Sequence, residues 1–174
     1  MSDKQVNVNE GELLARASDL VQLEALLIDG ADWDRWLDLY VDDCIFWVPA
    51  WRSDGHLVSN PRREISHIYS VGRQALEDRI YRIRSKHSVS SIPMQRTAHM
   101  LSPSRLISAS TPQKVQVHTN WTSHVYFPRS KDTQTFFGYY IHDLVDSGQG
   151  WRISSKKVVV NNDYFRSVLD FYFV

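Results

Sequence analysis

The segment Val115-Gln-Val-His-Thr-Asn-Trp-Thr-Ser-His-Val-Tyr-Phe127 decides the fold. Val115, Val117, Thr119, Trp121, Ser123, Val125 and Phe127 alternate with Gln116, His118, Asn120, Thr122, His124 and Tyr126. A period of two marks a long strand with one buried face. Two further strands follow, Phe136 to Val145 and Trp151 to Asn161, joined across the glycine-containing hairpin loop Asp146-Ser-Gly-Gln-Gly150. Upstream, Arg96 to Ser108 reads as one more strand, with Pro103 marking a bulge or an edge within it.

Before Arg96 the period changes. Leu13, Leu14, Ala17, Leu20, Val21, Leu27 and Ile28 recur at helical spacing, which predicts a helix over Glu12 to Ile28. Asp29-Gly30 ends it, with Gly30 suited to a left-handed cap. Asp32 is placed to cap a second helix carrying Trp33, Trp36, Leu37 and Tyr40, which Asp42-Asp43 breaks. Cys44 to Pro49 reads as a short buried strand. Trp51 to Val71 has no clear period, and an excursion of this length in a small domain is usually functional or partner-binding. A third helix spans Arg73 to Ser85, with Leu76, Ile80 and Ile83 on one face and an Asp78/Arg82 pair at i, i+4. Helices followed by a meander of long strands predict one α+β domain over residues 12–174, a curved antiparallel sheet wrapped into a cone by about three N-terminal helices. Residues 1–11 form a polar leader.

Composition narrows the function. The 20 Lys and Arg balance 20 Asp and Glu, so the long-range attraction needed by a nucleic-acid or anionic-membrane binder is missing. Six Trp, eight Tyr and seven Phe in 174 residues point to a thick core, a partner surface, or both. A single cysteine, Cys44, forms no internal disulfide and suits a reducing compartment. With no apolar signal core and no membrane-length apolar stretch, the expectation is a cytoplasmic protein.

Catalytic and metal-binding arrangements are hard to build from these residues. His118 and His124 share a strand face but lie about 20 Å apart, too far to share one ion. His142 and Asp143 are strand neighbours and face opposite sides. His67, His87 and His99 have no partner at ligand spacing. A Rieske cluster needs two Cys and two His. Cys44 lies among Val41, Ile45, Phe46 and Trp47, where a buried structural thiol is expected. There is no G-x-S-x-G nucleophile elbow and no glycine-rich phosphate loop. The basic run Arg79, Arg82, Arg84 and Lys86 reads either as a solvated helix face or as a contact for an acidic partner. His118, Asn120, His124 or Asp143 could also line a cone interior, where a buried His or Asp could act as general acid or base. That keeps open a stand-alone isomerase or dehydratase, or a small-molecule binding module.

Several ordered motifs carry a resemblance to a known family. Trp36-Leu-Asp-Leu-Tyr-Val-Asp-Asp-Cys-Ile-Phe-Trp-Val-Pro-Ala-Trp51 resembles the helix-to-strand passage of β subunits of the benzoate, toluate and anthranilate dioxygenases. Asn60-Pro-Arg-Arg-Glu-Ile-Ser-His-Ile-Tyr69 resembles the family loop before the third helix. Arg73-Gln-Ala-Leu-Glu-Asp-Arg-Ile-Tyr-Arg-Ile-Arg84 resembles that helix, and Pro93-Met-Gln-Arg-Thr-Ala-His99 the start of the sheet. Phe137 to His142, Trp151-Arg-Ile with Lys156-Lys157, Asn162-Asp163 and Leu169-Asp170 are similar to the last strands and tail. The match spans about residues 12–174. Ser85 to Pro93 and the loop at 128–134 depart from the family pattern.

The resemblance implies the cone fold shared by nuclear transport factor two and ketosteroid isomerase. It further implies a non-catalytic small subunit, with no catalytic, cofactor-binding or metal-binding residue of its own. Assembly is expected as three α and three β chains, the β chains also touching one another. The α subunit would hold the Rieske [2Fe–2S] cluster and the mononuclear iron, fed with electrons from NADH by a separate reductase, and would form a cis-diol on an aromatic acid. Trp51, Arg62, Arg63, Tyr69, Arg79 and Arg82 are the expected contact residues.

Overall fold

The computed structural model describes residues 9–85, 93–146 and 148–174. Residues 1–8 of the expected leader, Ser147, and residues 86–92, with His87, Lys86 and most of the serine-rich stretch, lie outside them. The elements are α1 (Glu10–Asp29), α2 (Trp33–Leu37), β1 (Tyr40–Pro49), β2 (Ser66–Val71) and α3 (Arg73–Arg84). β3 (Arg96–Leu101), β4 (Arg105–Thr111), β5 (Lys114–Phe127), β6 (Asp132–Asp146) and β7 (Trp151–Val160) follow, and a 3-10 turn at Phe171–Phe173 ends the chain.

All seven strands join one open mixed sheet, ordered β2-β1-β7-β6-β5-β3, with β4 beside β3 along the same edge of β5. β1 and β7 pair in parallel and the other pairs are antiparallel. The alternation in β5 is realised in space. Val115, Val117, Thr119, Trp121, Ser123 and Val125 are buried, while Asn120 and His124 are exposed. α1 lays Leu13, Ala17, Leu20, Val21, Leu27 and Ile28 against this inner face. Asn9 caps the helix, its side chain accepting from the Gly11 amide. The C-terminus returns to the same side: Phe171 stacks on Trp36 at 4.9 Å, and Phe171, Tyr172, Phe173 and Val174 are all buried. The concave side is therefore packed with aromatic side chains.

Several expectations are corrected. The left-handed residue after α1 is Ala31 (φ 52°), while Gly30 stays right-handed (φ −79°). The Asp32 amide reaches back to the Leu27 carbonyl, so the reversal falls one residue later than the glycine suggested. The second helix stops at Leu37, and the Asp32 side chain makes no capping bond. Tyr40 opens β1 instead, because the Ile153 amide donates to the Leu39 carbonyl and draws the chain alongside β7. Asp42 and Asp43 lie in the irregular stretch of that pairing, inside the strand. The excursion after Trp51 ends in a strand, β2. Pro103 divides the expected single strand into β3 and β4. On α3, Asp78 accepts from Gln74, and the i, i+4 ion pair is Arg73 with Glu77.

At Gly138 the backbone of the neighbouring strand approaches closely. A Cβ there would sit 1.9 Å from the Val159 carbonyl oxygen in the neighbouring strand. We expect Gly138→Ala to cost about 3 kcal/mol of stability through forced backbone displacement. A urea midpoint equal to that of the unchanged chain would refute this.

Candidate subunit interface

The two faces of the sheet carry different chemistry. On the inner face a carboxylate, Glu24 of α1, lies where an apolar residue would continue the stripe of Leu20, Val21 and Leu27. Its Oε1 accepts from Lys156 Nζ (2.9 Å), Tyr40 Oη (2.5 Å) and Trp36 Nε1 (3.3 Å), and its Oε2 from His142 Nε2 (3.1 Å). Glu24, His142 and Lys156 are each at most 1% exposed. Burial alone would raise the Glu24 pKa. Lys156, His142 and Tyr40 overcome it and hold the carboxyl far below the usual range. Burial also pulls Lys156 and His142 below their ordinary values, with Glu24 opposing in both cases. The Lys156 ammonium lies 4.3 Å from the Tyr140 ring centroid and 5.5 Å from that of Phe46, so aromatic faces replace part of its lost hydration.

A second inner pair joins Asp29, at the end of α1, to β3. Its carboxylate accepts from His99 Nδ1 (2.7 Å), the His99 amide (2.7 Å) and Thr97 Oγ1 (2.8 Å). Neither pair was foreseen from the sequence. The readable signal was Glu24 on an apolar stripe and Lys156 at the inward period of Val158 and Val160. The residues proposed for the cone interior point the other way. His118 stacks on Tyr139 at 5.0 Å on the outer face, and Asn120 and His124 are exposed. Asp143 is partly exposed and accepts from Gln116. Cys44 is buried as expected, and burial pushes its thiol up to about 11.

The outer face is a continuous cross-strand surface. Tyr69, Trp47, Lys157, Ile141 and His118 fall in one register row across β2, β1, β7, β6 and β5. Lys157 lies over the Trp47 ring at 4.7 Å. Phe137, Thr122 and Met100 form a second row, with Phe137 and Met100 48% and 62% exposed. α1 and α3 reach the opposite face, as Glu24 with Lys156 and Arg79 with Ser70 show.

The six expected contact residues are distributed unevenly. Trp51 donates its indole N–H to the Val160 carbonyl (2.7 Å) and stays 37% exposed. Arg62 and Arg63 are exposed on the same excursion, beside Ile65 (83% exposed), and no described group pairs with their side chains. Tyr69 belongs to the outer row. Arg79 instead turns inward to Ser70 Oγ (3.2 Å), where burial lowers its pKa. Arg82 is exposed on α3 and is not brought to the outer rows. A groove of about 410 Å³ between α2 and α3 is lined by Asp34, Arg73, Glu77 and Arg84. Its lining excludes the Glu24 cluster.

These features define a nuclear transport factor two-like fold with a packed interior. A protein of that class with a cystatin-like fold from Novosphingobium aromaticivorans matches with a TM-score of 0.62 at 16% identity, over 98% of this chain and 100% of the other. The chain belongs to the ring hydroxylating beta subunit family, whose sequence profile matches residues 23–167. It is 36% identical to the benzoate 1,2-dioxygenase subunit beta of Acinetobacter baylyi, over 92% of this chain and 94% of that one. The crystal structure of the benzoate 1,2-dioxygenase beta subunit from Burkholderia mallei matches with a TM-score of 0.75 at 33% identity, covering 92% of this chain and 96% of that chain. The chain is thus the small subunit of an aromatic-ring-hydroxylating dioxygenase, an oxidoreductase.

The inner cluster makes stability pH-dependent with a definite sign. Burial keeps the folded His142 pKa below its usual 6.5, so the unfolded chain binds the extra proton first. Stability therefore falls as pH drops from about 7 to 5. It falls again below the ordinary Glu value of 4.5, because the folded Glu24 pKa is depressed. His142→Gln should flatten the first slope of urea midpoint against pH and leave the second. Glu24→Gln, which strands Lys156 in the core, should cost about 3–5 kcal/mol at pH 7. A Glu24→Gln chain as stable as the parent would show that the pair is not ionised.

Proposed function

We propose that this chain scaffolds its dioxygenase and leaves the chemistry to a catalytic α subunit. The observation that carries the reading is the outer sheet face, where two cross-strand rows rich in aromatic residues meet no helix among the described residues. Aromatic and arginine side chains dominate interface energetics. Trp51, Arg62, Arg63 and Tyr69 fit that pattern, with Arg82 as a peripheral contact and Arg79 as an internal brace. The neighbours on this surface are the α subunit and other β chains, in an α3β3 assembly.

The redox groups fit the partner better than this chain. One cysteine, inward-facing and with its thiol held protonated, cannot supply the two thiolates of a Rieske cluster. Among the described residues no three His, Cys, Asp or Glu side chains converge as metal ligands. We therefore place the [2Fe–2S] cluster, the mononuclear iron and the electrons arriving from NADH through a reductase with the α subunit. The substrate is an aromatic acid, as the name of the benzoate relative suggests, and the product is its cis-diol. The complex works in the cytoplasm, consistent with the absence of any described helix long and apolar enough to cross a membrane.

Titrating the full chain against its catalytic subunit in a sedimentation experiment tests the reading. Tyr69→Ala and Arg63→Ala should each weaken association about 30-fold, or roughly 2 kcal/mol, with the urea midpoint unchanged. The chain alone should give no turnover, and addition of the partner should restore it. Parallel losses of folding and assembly would place these residues in the core and defeat the reading.

A further inference from the structure

The Asp29–His99 pair leaves one end of the imidazole unassigned. An ionised carboxylate can only accept, so the proton on the bonded nitrogen is fixed at Nδ1, and Nε2 is left to meet another group. The His99 side chain is 1% exposed, and its Nε2 has no hydrogen-bond partner among the described residues. The same holds for Ser123 Oγ and Trp121 Nε1, with Ser123 at 0% and Trp121 at 3% exposure.

The three residues that carry these atoms are neighbours in the sheet. His99 and Ser123 are register partners across β3 and β5, and Trp121 precedes Ser123 by two residues on the same inward face. The Trp121 ring lies parallel to Tyr140 (interplanar angle 6°, centroids 5.0 Å apart), which confines its N–H to a plane parallel to that ring. With the imidazole unprotonated at Nε2, together they offer an acceptor (Nε2), a group that both donates and accepts (the hydroxyl), and a donor (the indole N–H). Buried polar atoms are nearly always paired, and a buried water typically makes about three hydrogen bonds.

We infer that His99, Ser123 and Trp121 form an internal binding site for a single hydroxyl-bearing ligand, an ordered water molecule, held between β3 and β5 beneath the end of α1. The water donates to His99 Nε2, accepts from Trp121 and exchanges a hydrogen bond with Ser123. The carboxylate–imidazole pair is thereby extended by a third polar link across the sheet. The site is independent of the assembly reading and is sealed by the same packing that fills the cone.

Oxygen-17 magnetic relaxation dispersion of the full chain counts long-lived internal waters. The combined substitution of His99→Phe with Ser123→Ala should lower that count by one, whereas His124→Ala, on the outer face, should leave it unchanged. Nitrogen-15 shifts of the unsubstituted chain, read where the ring is neutral, should show a proton on Nδ1 and a bare, hydrogen-bonded Nε2. An unchanged water count in the doubly substituted chain, or a proton on Nε2 with Nδ1 bare, overturns the proposal. If the double substitution prevents folding, the nitrogen-15 measurement decides alone.

Discussion

The Glu24 carboxylate is the junction on which the rest of this structure depends. It is carried by α1 and bonded to α2 through Trp36, to β1 through Tyr40, to β6 through His142 and to β7 through Lys156. Desolvating each ion of such a pair costs several kcal/mol, and hydrophobic replacements of buried pairs are often neutral or stabilising. The cluster is therefore better understood as a device for specificity than as a source of net stability. One residue of slip along α1 would rotate Glu24 by about 100° and leave Lys156 and His142 buried without their partner. Only one arrangement of helix on sheet avoids that penalty.

The concave side of the cone is filled by side chains. The aromatic rings of Trp36, Tyr40, Phe46, Trp121, Tyr140 and Phe171 occupy the concave side together with the ion pair. The charged groups there are engaged with one another, and the thiol is protonated. On the convex side Tyr69, Trp47, Lys157, Ile141 and His118 form a row with no covering helix among the described residues. Such a surface, half-shielded by its own neighbours, is ordered before a partner arrives and has little entropy left to lose on docking.

The sheet was largely legible in the sequence because a half-buried strand writes its period directly into residue order, as in Val115 to Phe127. What failed were the places where distant contacts override local pattern. Tyr40 has helical spacing from Trp33 and Trp36, yet hydrogen bonding to β7 takes the chain into a strand there. His118, Asn120 and His124 were candidates for the interior, although the alternation that buries Val117, Thr119 and Trp121 already sends them outward. The Asp29–His99 contact joins residues 70 positions apart, and no local period announces it. Trp51, Arg62 and Arg63 lie exposed on their excursion, but Arg79 turned inward because Ser70 lies beneath α3. The inner cluster was half legible: a glutamate on an apolar helical stripe requires a buried partner, but nothing local says which one.

The inner junction and the outer row are not independent, because they meet in consecutive residues. Lys156 points into the core and pairs with Glu24, while Lys157 points out and lies over Trp47. In β6 the same alternation puts His142 inside and both Ile141 and Asp143 outside. A strand has a side-chain period of two, so any one-residue slip of β7 would exchange the two lysines. The inner ion pair and the outer cation–π contact would be lost together. The buried cluster thus sets more than the position of a helix. By fixing the register of β7 against β1 and β6, it aligns the outer row of side chains.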